Sequence, residues 1–98
     1  MIHPNSVAVL PFANMSKDTD NEYFSDGITE EIINVLAQIK GIQVTARTSS
    51  FAFKNQNVDV REVGKKLGVA HVLEGSIRRA GNRVRITAQL IDTQQGFH

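Results

Sequence analysis

The densest group of acidic and hydroxyl side chains in this 98-residue chain lies in residues 21–31. Asp26 and Glu30 stand four residues apart, a spacing that makes two side chains neighbours on one helix face. Paired carboxylates can act as general acid and general base when their surroundings separate their pKa values. Acidic residues are also common in the first turns of a helix, where the helix dipole stabilises them. Catalysis at this pair and a structural helix start are therefore rival interpretations, and we favour the helix start.

Other chemically reactive residues form no recognisable constellation. Ser25 has no histidine on the same element and lies in no nucleophile-elbow motif, so we expect it on the helix surface. The histidines His3, His71 and His98 are not at metal-ligand spacing. The chain has no cysteine, and its glycines form no phosphate-binding motif. The sequence thus predicts no catalytic residue, no metal site and no cofactor.

The net charge is only +1, but its distribution along the chain is uneven. Acidic residues dominate the segment 18–31, and four arginines cluster at 78–85. Such a basic cluster could attract nucleic acid or an acidic protein. The polar face on which we place it offers no aromatic side chain to stack a base. We therefore do not expect nucleic acid to be the partner.

The first half of the chain predicts a buried strand followed by the main helix. Residues 7–12 form an apolar run ended near Pro11, which is typical of a central strand. Thr19 and Glu22 have the spacing of a capping box, so a helix should begin near Asp20 and stop before Gly41. Its predicted apolar stripe is Phe24, Ile28, Ile32, Val35, Leu36 and Ile39.

Gly27 is unexpected inside this main helix. A glycine there costs roughly 1 kcal/mol relative to alanine. We interpret it as the sign of a close backbone approach to the helix at this point. That proximity, rather than acid-base chemistry, is the expected reason for the residue.

The middle of the chain predicts a half-buried strand and a second helix. Residues 42–46 alternate apolar and polar at the strand period. Residues 48–57 lack a period and suggest an irregular loop or a short helical turn. Asp59 is a suitable cap for a helix that Gly68 should end.

The C-terminal third predicts a β-hairpin whose register follows from its turn. If Gly81 and Asn82 form a two-residue turn, Ala80 faces Arg83. Side chains of alternate residues then fall on an apolar and a polar face. The apolar pairs are Ile77 with Ile86, Gly75 with Ala88, and Leu73 with Leu90; the polar pairs are Arg78 with Arg85, Ser76 with Thr87, and Glu74 with Gln89.

These elements predict a single α+β domain over residues 1–98. The order β-α-β-α-β-β suits a two-layer sandwich, with a mixed sheet, two helices on one face and the C-terminal hairpin. No apolar run is long enough to cross a membrane, and the N-terminus lacks the pattern of a signal peptide. We expect no membrane contact by this segment and a cytoplasmic location, or a periplasmic one if a parent protein has a membrane span.

Strings spread over nearly the whole chain carry a family resemblance. Residues 7–16, 22–31, 46–51, 72–78 and 84–92 resemble the TolB amino-terminal-like domain of bacterial multidomain regulators. The resemblance implies an α/β domain that accompanies nucleotide cyclase, winged-helix or tetratricopeptide-repeat domains and supplies no catalytic residues itself. Similar sequences continue into a further strand and helix, so the resemblance also implies a fragment of a larger protein with an exposed edge or groove.

The functional expectation is a noncatalytic regulatory, protein-interaction or assembly module from a bacterial signalling protein. Its expected partner is another protein, a neighbouring domain of the same polypeptide, or a second copy. One alternative is an accessory domain of an adenylate or guanylate cyclase. Such a domain would be named after the activity of its parent protein without having that activity itself. The other is nucleic-acid binding through the basic hairpin. The candidate interaction residues are Arg47, Glu74, Arg78, Arg85 and Gln89.

Overall fold

The computed structural model of the protein describes residues 2–16 and 21–95. The expected helix start at Asp20 and its cap Thr19 therefore lie outside the described residues. The elements, in chain order, are β1 (Ser6–Val9), β2 (Ala13–Asn14), α1 (Asn21–Ala37), β3 (Gln43–Val44), α2 (Arg47–Phe51), α3 (Val60–Leu67), β4 (His71–Ala80) and β5 (Arg83–Asp92).

Strand β4 is the long strand on which the sheet is built. Strands β1 and β2 pair with one edge of β4 in parallel, β3 lies parallel on the far side of β1, and β5 pairs antiparallel with the other edge of β4. The Leu10 N–H donates to the Leu73 carbonyl (2.9 Å) and the Met15 N–H donates to the Ile77 carbonyl (2.8 Å). These bonds continue the β1 edge into β2 past Pro11, which cannot donate. The predicted mixed sheet with β1 at its centre is confirmed.

The predicted hairpin register is confirmed at every pair. Gly81 has a φ of 58°, the left-handed value that a two-residue turn requires. Ala80 faces Arg83, and the pairing continues without a bulge to His71 opposite Asp92. The turn thus places all of the predicted apolar and polar pairs of β4 and β5 on the expected faces.

Two core clusters lie on opposite faces of this sheet. Neighbouring strand residues point to opposite faces, and Val9 belongs to one cluster while Ala8 belongs to the other. We call the two sides the α1 face and the α3 face. The α1-face cluster is Val9, Phe12, Ile33 and Ile77, and the α3-face cluster is Ala8, Val63, Val69 and Val72.

The α+β class is confirmed, but the two main helices do not share one face of the sheet. Helix α3 covers the end of the face that we described as polar, because Val72 and Ile91 are paired apolar residues at that end. A Cβ added to Gly64 would lie 2.4 Å from Cβ of Thr93, which follows β5. Helix α3 therefore sits tightly against this end and leaves the rest of the face uncovered.

The most buried line of α1 is polar for most of its length. Ser25 and Thr29 are fully buried, so the expectation of a surface position for Ser25 is wrong. The Phe12 N–H donates to Thr29 Oγ1 (3.0 Å), and this hydroxyl donates to the Ser25 carbonyl (2.9 Å). Small and hydroxyl side chains thus let α1 hold the β1–β2 loop. Of the predicted apolar stripe, Val35 and Ile39 are exposed.

The expected close approach at Gly27 is also wrong. Nothing lies within 4 Å of a Cβ built there.

No described helix is long and apolar enough to cross a membrane.

The smaller elements follow their sequence signals. Gly68, with a φ of 66°, directly follows α3 and caps it as predicted. Gly41 also has a positive φ, of 93°, but α1 already ends at Ala37, earlier than predicted. Asp59 caps α3 by accepting from the Arg61 N–H at 2.8 Å. The expected strand at 42–46 shortens to β3, and of the two alternatives for residues 48–57 the structure shows a short helix, α2, at the start of this segment.

Candidate interaction groove

An open groove of about 600 Å³ lies on the α3 face. Its floor consists of polar side chains from the hairpin, namely Glu74, Ser76, Thr87 and Gln89. They form two directly facing pairs, and helix α3 stops short of them because the apolar part of this face ends at Val72. The groove is therefore a stretch of β-sheet that presents hydrogen-bonding groups to solvent.

Two segments from distant parts of the sequence form the walls of this groove. One wall is the segment from Leu10 to Asn14, and the other runs from Phe53 to Gln56. Leu10 and Phe53 pack against the α3-face core, which fixes the base of each wall. Asn55 has a φ of 62°, the left-handed conformation that asparagine tolerates better than most residues.

An ion cluster joins the second wall to α1. The Lys54 ammonium lies 2.6 Å from Asp26 Oδ2 and 3.4 Å from Glu22 Oε2. The hydrogen bond to Asp26 raises the pKa of Lys54, so the Lys54 side chain is positively charged at neutral pH. Asp26 Oδ1 is buried and has no partner among the described residues. The cluster holds one wall in place and presents a cation at its edge.

The two carboxylates considered for acid-base catalysis take different partners. Asp26 binds Lys54, whereas Glu30 forms an ion pair with Arg47 at the start of α2. The guanidinium of Arg47 also lies 4.1 Å from the centre of the Phe51 ring. The two ion pairs, Asp26 with Lys54 and Glu30 with Arg47, attach the segment 47–54 to α1. Asp26 and Glu30 therefore each hold a basic side chain of this segment, which ends in a wall of the groove.

The structure brings four of the five predicted interaction residues together. Glu74 and Gln89 face each other on the floor of the groove. Arg78 and Arg85 form another facing pair on the same side of the hairpin, further toward the turn, and both are exposed. Arg47 lies apart from them, because it is engaged by Glu30 and packs on Phe51 beside the α1-face core.

Sequence reasoning missed the walls and Lys54. The hairpin residues share one face through a local turn, whereas the walls meet only after the chain has folded around β4. The one hint of the second wall in the sequence was the polar stretch 54–57, which begins with Lys54 and lies in the segment without a clear period.

The histidines take no part in a metal site among the described residues. His3 Nδ1 accepts from the Asn5 N–H at 3.0 Å in a local turn, and His71 begins β4. His98 lies outside the described residues. No group of metal-ligating side chains occurs in the ranges 2–16 and 21–95.

Comparison with known proteins places this chain in a family. The model of the second domain of HilA/YgeH-like transcriptional regulators matches residues 3–97. The chain belongs to this family. A Rhizobium meliloti protein provisionally named adenylate cyclase 3 is 57% identical over 93 residues, which span 95% of this chain but 16% of that protein. The chain thus corresponds to a small part of its curated relative.

Solved structures confirm the expected TolB-like fold. A lipoprotein from Neisseria meningitidis aligns with a TM-score of 0.73 at 20% identity, over 96% of this chain and 73% of that chain. The C-terminal domain of LpoB from Escherichia coli aligns with a TM-score of 0.72 at 18% identity, over 96% and 76%. TolB from Acinetobacter baumannii aligns with a TM-score of 0.61 at 20% identity, over 93% and 20%. At these identities the likeness concerns the fold alone.

Proposed function

We propose that this domain is a noncatalytic regulatory module that binds a protein partner or a neighbouring domain in the polar groove. The observation that carries the proposal is the uncovered polar floor on the α3 face, continuous with the exposed Arg78 and Arg85 pair. Membership of a regulator family and the small share of the curated relative that is matched support an accessory role.

The charges of the groove define the partner it would accept. Glu74 supplies a carboxylate on the floor, and Lys54 supplies an ammonium on the wall. Beyond them, two arginines face each other without an acidic side chain between them in the pairing register. Like charges directly opposite are unfavourable, and an acidic side chain of a partner would relieve this. We expect a mainly polar protein surface with at least one carboxylate opposite Arg78 and Arg85.

Charge reversal of the arginine pair tests this proposal. The domain is titrated by calorimetry with the separately produced remainder of the polypeptide in which it occurs. Arg78→Glu combined with Arg85→Glu should weaken binding at least about 10-fold, within the range measured for close charge pairs across interfaces. Lys65→Glu combined with Lys66→Glu, on the exposed surface of α3, is the matched control. Undiminished binding by the arginine variant would refute the role of the groove, and no binding by the unmodified domain would refute a neighbouring domain as the partner.

The similarity to the Rhizobium meliloti protein favours one particular setting, an accessory domain of a nucleotide cyclase. In that setting, cyclase activity belongs to the other parts of the parent polypeptide. Deleting this domain should change the regulation of a parent cyclase, and the isolated domain should not turn over ATP. ATP turnover by the domain that Asp26→Asn abolishes would overturn the noncatalytic assignment. We propose a cytoplasmic location in this setting, because ATP is the substrate there.

A further inference from the structure

Glu74 is a carboxylate on the groove floor that the chain leaves without a counter-charge. It lies on β4, both edges of which are paired, and the residue is only partly exposed. Its side chain forms no ion pair and no hydrogen bond with any described residue. Withdrawing a charge from water is unfavourable unless a partner compensates it. The floor of the groove therefore has a place for a cation.

The cation already present in the groove is committed to other carboxylates. Lys54 is the one basic residue among the described residues that line the groove, and its ammonium contacts Asp26 and Glu22. These two carboxylates together exceed the charge of Lys54, and Glu74 adds a further negative charge. The groove is thus net negative, in contrast to the arginine pair beyond it, and attracts a cation rather than an anion.

The path of the chain explains why there is room beside Glu74. Strands β1 and β3 are parallel neighbours, but the chain leads from β1 to α1 on one face of the sheet and from β3 to α3 on the other. Where the connections of neighbouring parallel strands part in this way, a crevice opens at the carboxyl ends of the strands, and ligands commonly bind there. The two walls of the groove, 10–14 and 53–56, belong to these two connections.

A continuation of the chain past β5, as in similar sequences, would have its natural packing surface on the opposite face. The uncovered apolar side chains near the end of the chain are Val84, Ile86 and Leu90. They lie on the α1 face, because Ile86 pairs with Ile77 of the α1-face core. A further layer packs against apolar surface. We therefore expect the polar floor around Glu74, on the α3 face, to stay open.

We propose that the groove binds an arginine side chain of the partner, with the guanidinium on Glu74. This inference rests on the proposed function, because it concerns the same groove and names the residue type that enters it. The planar guanidinium has five donors, which suit the Glu74 carboxylate together with the neutral acceptors of Ser76 and Gln89 beside it. The aliphatic stem of arginine packs on the wall side chains of Leu10 and Phe53.

The arginine pair outside the groove sets the spacing of charges in the partner. Glu74 and Arg78 are four residues apart on β4 and point to the same face, which separates them by about 13 Å. An extended segment of the partner covers this distance in four residues. Its arginine would therefore stand four positions from the carboxylate that we expect opposite Arg78 and Arg85.

A synthetic pentapeptide tests the arginine directly. It consists of arginine, three serines and glutamate, with an acetylated N-terminus and an amidated C-terminus, and is titrated into the ¹⁵N-labelled domain while NMR signals are followed. A second peptide contains citrulline, which has the shape of arginine without its charge. We expect the citrulline peptide to bind at least about 10-fold more weakly, as for a close charge pair. Equal binding of the two peptides would refute the proposal, as would unchanged signals of residues 53–56 and 74–76 at about 10 mM arginine peptide, a concentration that a weak flexible ligand requires.

A conservative variant of the domain assigns the effect to Glu74. Glu74→Gln removes the charge and keeps the size of the side chain, so the circular dichroism spectrum should not change. This variant should bind the arginine and citrulline peptides within about 2-fold of each other, because the interaction that distinguishes them is gone. Glu62→Gln, at an exposed site on α3, should keep the full preference. An undiminished preference in the Glu74→Gln variant, or equally tight binding of a lysine peptide, would overturn the assignment.

The same peptides separate this inference from the proposed function. Replacing the peptide's glutamate by glutamine should weaken binding to the unmodified domain, but not to the variant with Arg78→Glu and Arg85→Glu. A preference for arginine without any effect of the glutamate would support the site at Glu74 and count against the arginine pair. An effect of the glutamate without a preference for arginine would refute the site at Glu74 and leave the arginine pair intact.

Discussion

The two helical glycines provide a decisive test of how the helices pack. Gly27 of α1 has nothing within 4 Å of a Cβ, whereas a Cβ on Gly64 of α3 would lie 2.4 Å from Thr93 Cβ. Replacing a glycine inside a helix by alanine stabilises it by roughly 0.5–1 kcal/mol where space allows. Overpacking costs about 1–3 kcal/mol. Gly27→Ala should therefore stabilise the domain, and Gly64→Ala should destabilise it despite the same gain in helix propensity.

The expected shifts are large enough to measure in a domain of this size. One kcal/mol moves Tm by roughly 4–8 °C for 60–100 residues. We therefore expect Tm to rise by about 2–8 °C for Gly27→Ala. We expect it to fall for Gly64→Ala, because Thr93 would also have to move from its hydrogen bonds to the carbonyls of Val69 (2.8 Å) and Ala70 (3.0 Å).

Thermal and urea unfolding followed by circular dichroism measure both variants against the unmodified chain. Each variant serves as the control for the other, since both add one methyl group to a helix. Destabilisation by Gly27→Ala would mean that another part of the molecule does approach α1 at that point, as the sequence suggested. Stabilisation by Gly64→Ala would mean that α3 does not sit tightly on the end of β5. Either result would refute the packing described above.

Three further predictions concern single side chains and the basic hairpin. Thr29→Val should cost about 1–3 kcal/mol in urea unfolding, because it leaves the buried Phe12 N–H without an acceptor; Thr48→Val, at an exposed site, should change stability by less than about 0.5 kcal/mol. Asp59 should titrate by NMR with a pKa of about 2, because the Arg61 side chain binds its carboxylate, and Arg61→Ala should return it toward 3.8. Because the pKa of Asp59 is lower in the folded state than in the unfolded state, its ionised carboxylate stabilises the fold at pH values above the unfolded pKa. That stabilisation is lost as the pH falls from about 4 toward 2. Titration of the domain with duplex and single-stranded DNA at low salt should be flat; binding that weakens with salt would restore the nucleic-acid alternative.

The hairpin was predictable because its information is local. A glycine and an asparagine fix the turn, and the strand period then assigns every side chain of β4 and β5 to a face. The interior of α1 was not predictable in the same way. Apolar periodicity identified the helix but ignored Ser25 and Thr29, which are both buried. Thr29 holds the β1–β2 loop by accepting from the Phe12 N–H, and its hydroxyl donates to the Ser25 carbonyl. Counting only apolar residues misses a buried polar contact whose partner lies elsewhere in the chain.

The acidic segment that first suggested catalysis is better understood through the groove. One row of α1 contains Thr29, which bonds Phe12 within the first wall. An adjacent row contains Glu22, Asp26 and Glu30, which hold Lys54 and Arg47 of the segment that forms the second wall. Helix α1 lies on the opposite face of the sheet from the groove floor, yet it attaches to both walls. The chemically reactive residues therefore determine the shape of the candidate binding surface, while the residues that would contact a partner lie on β4 and β5.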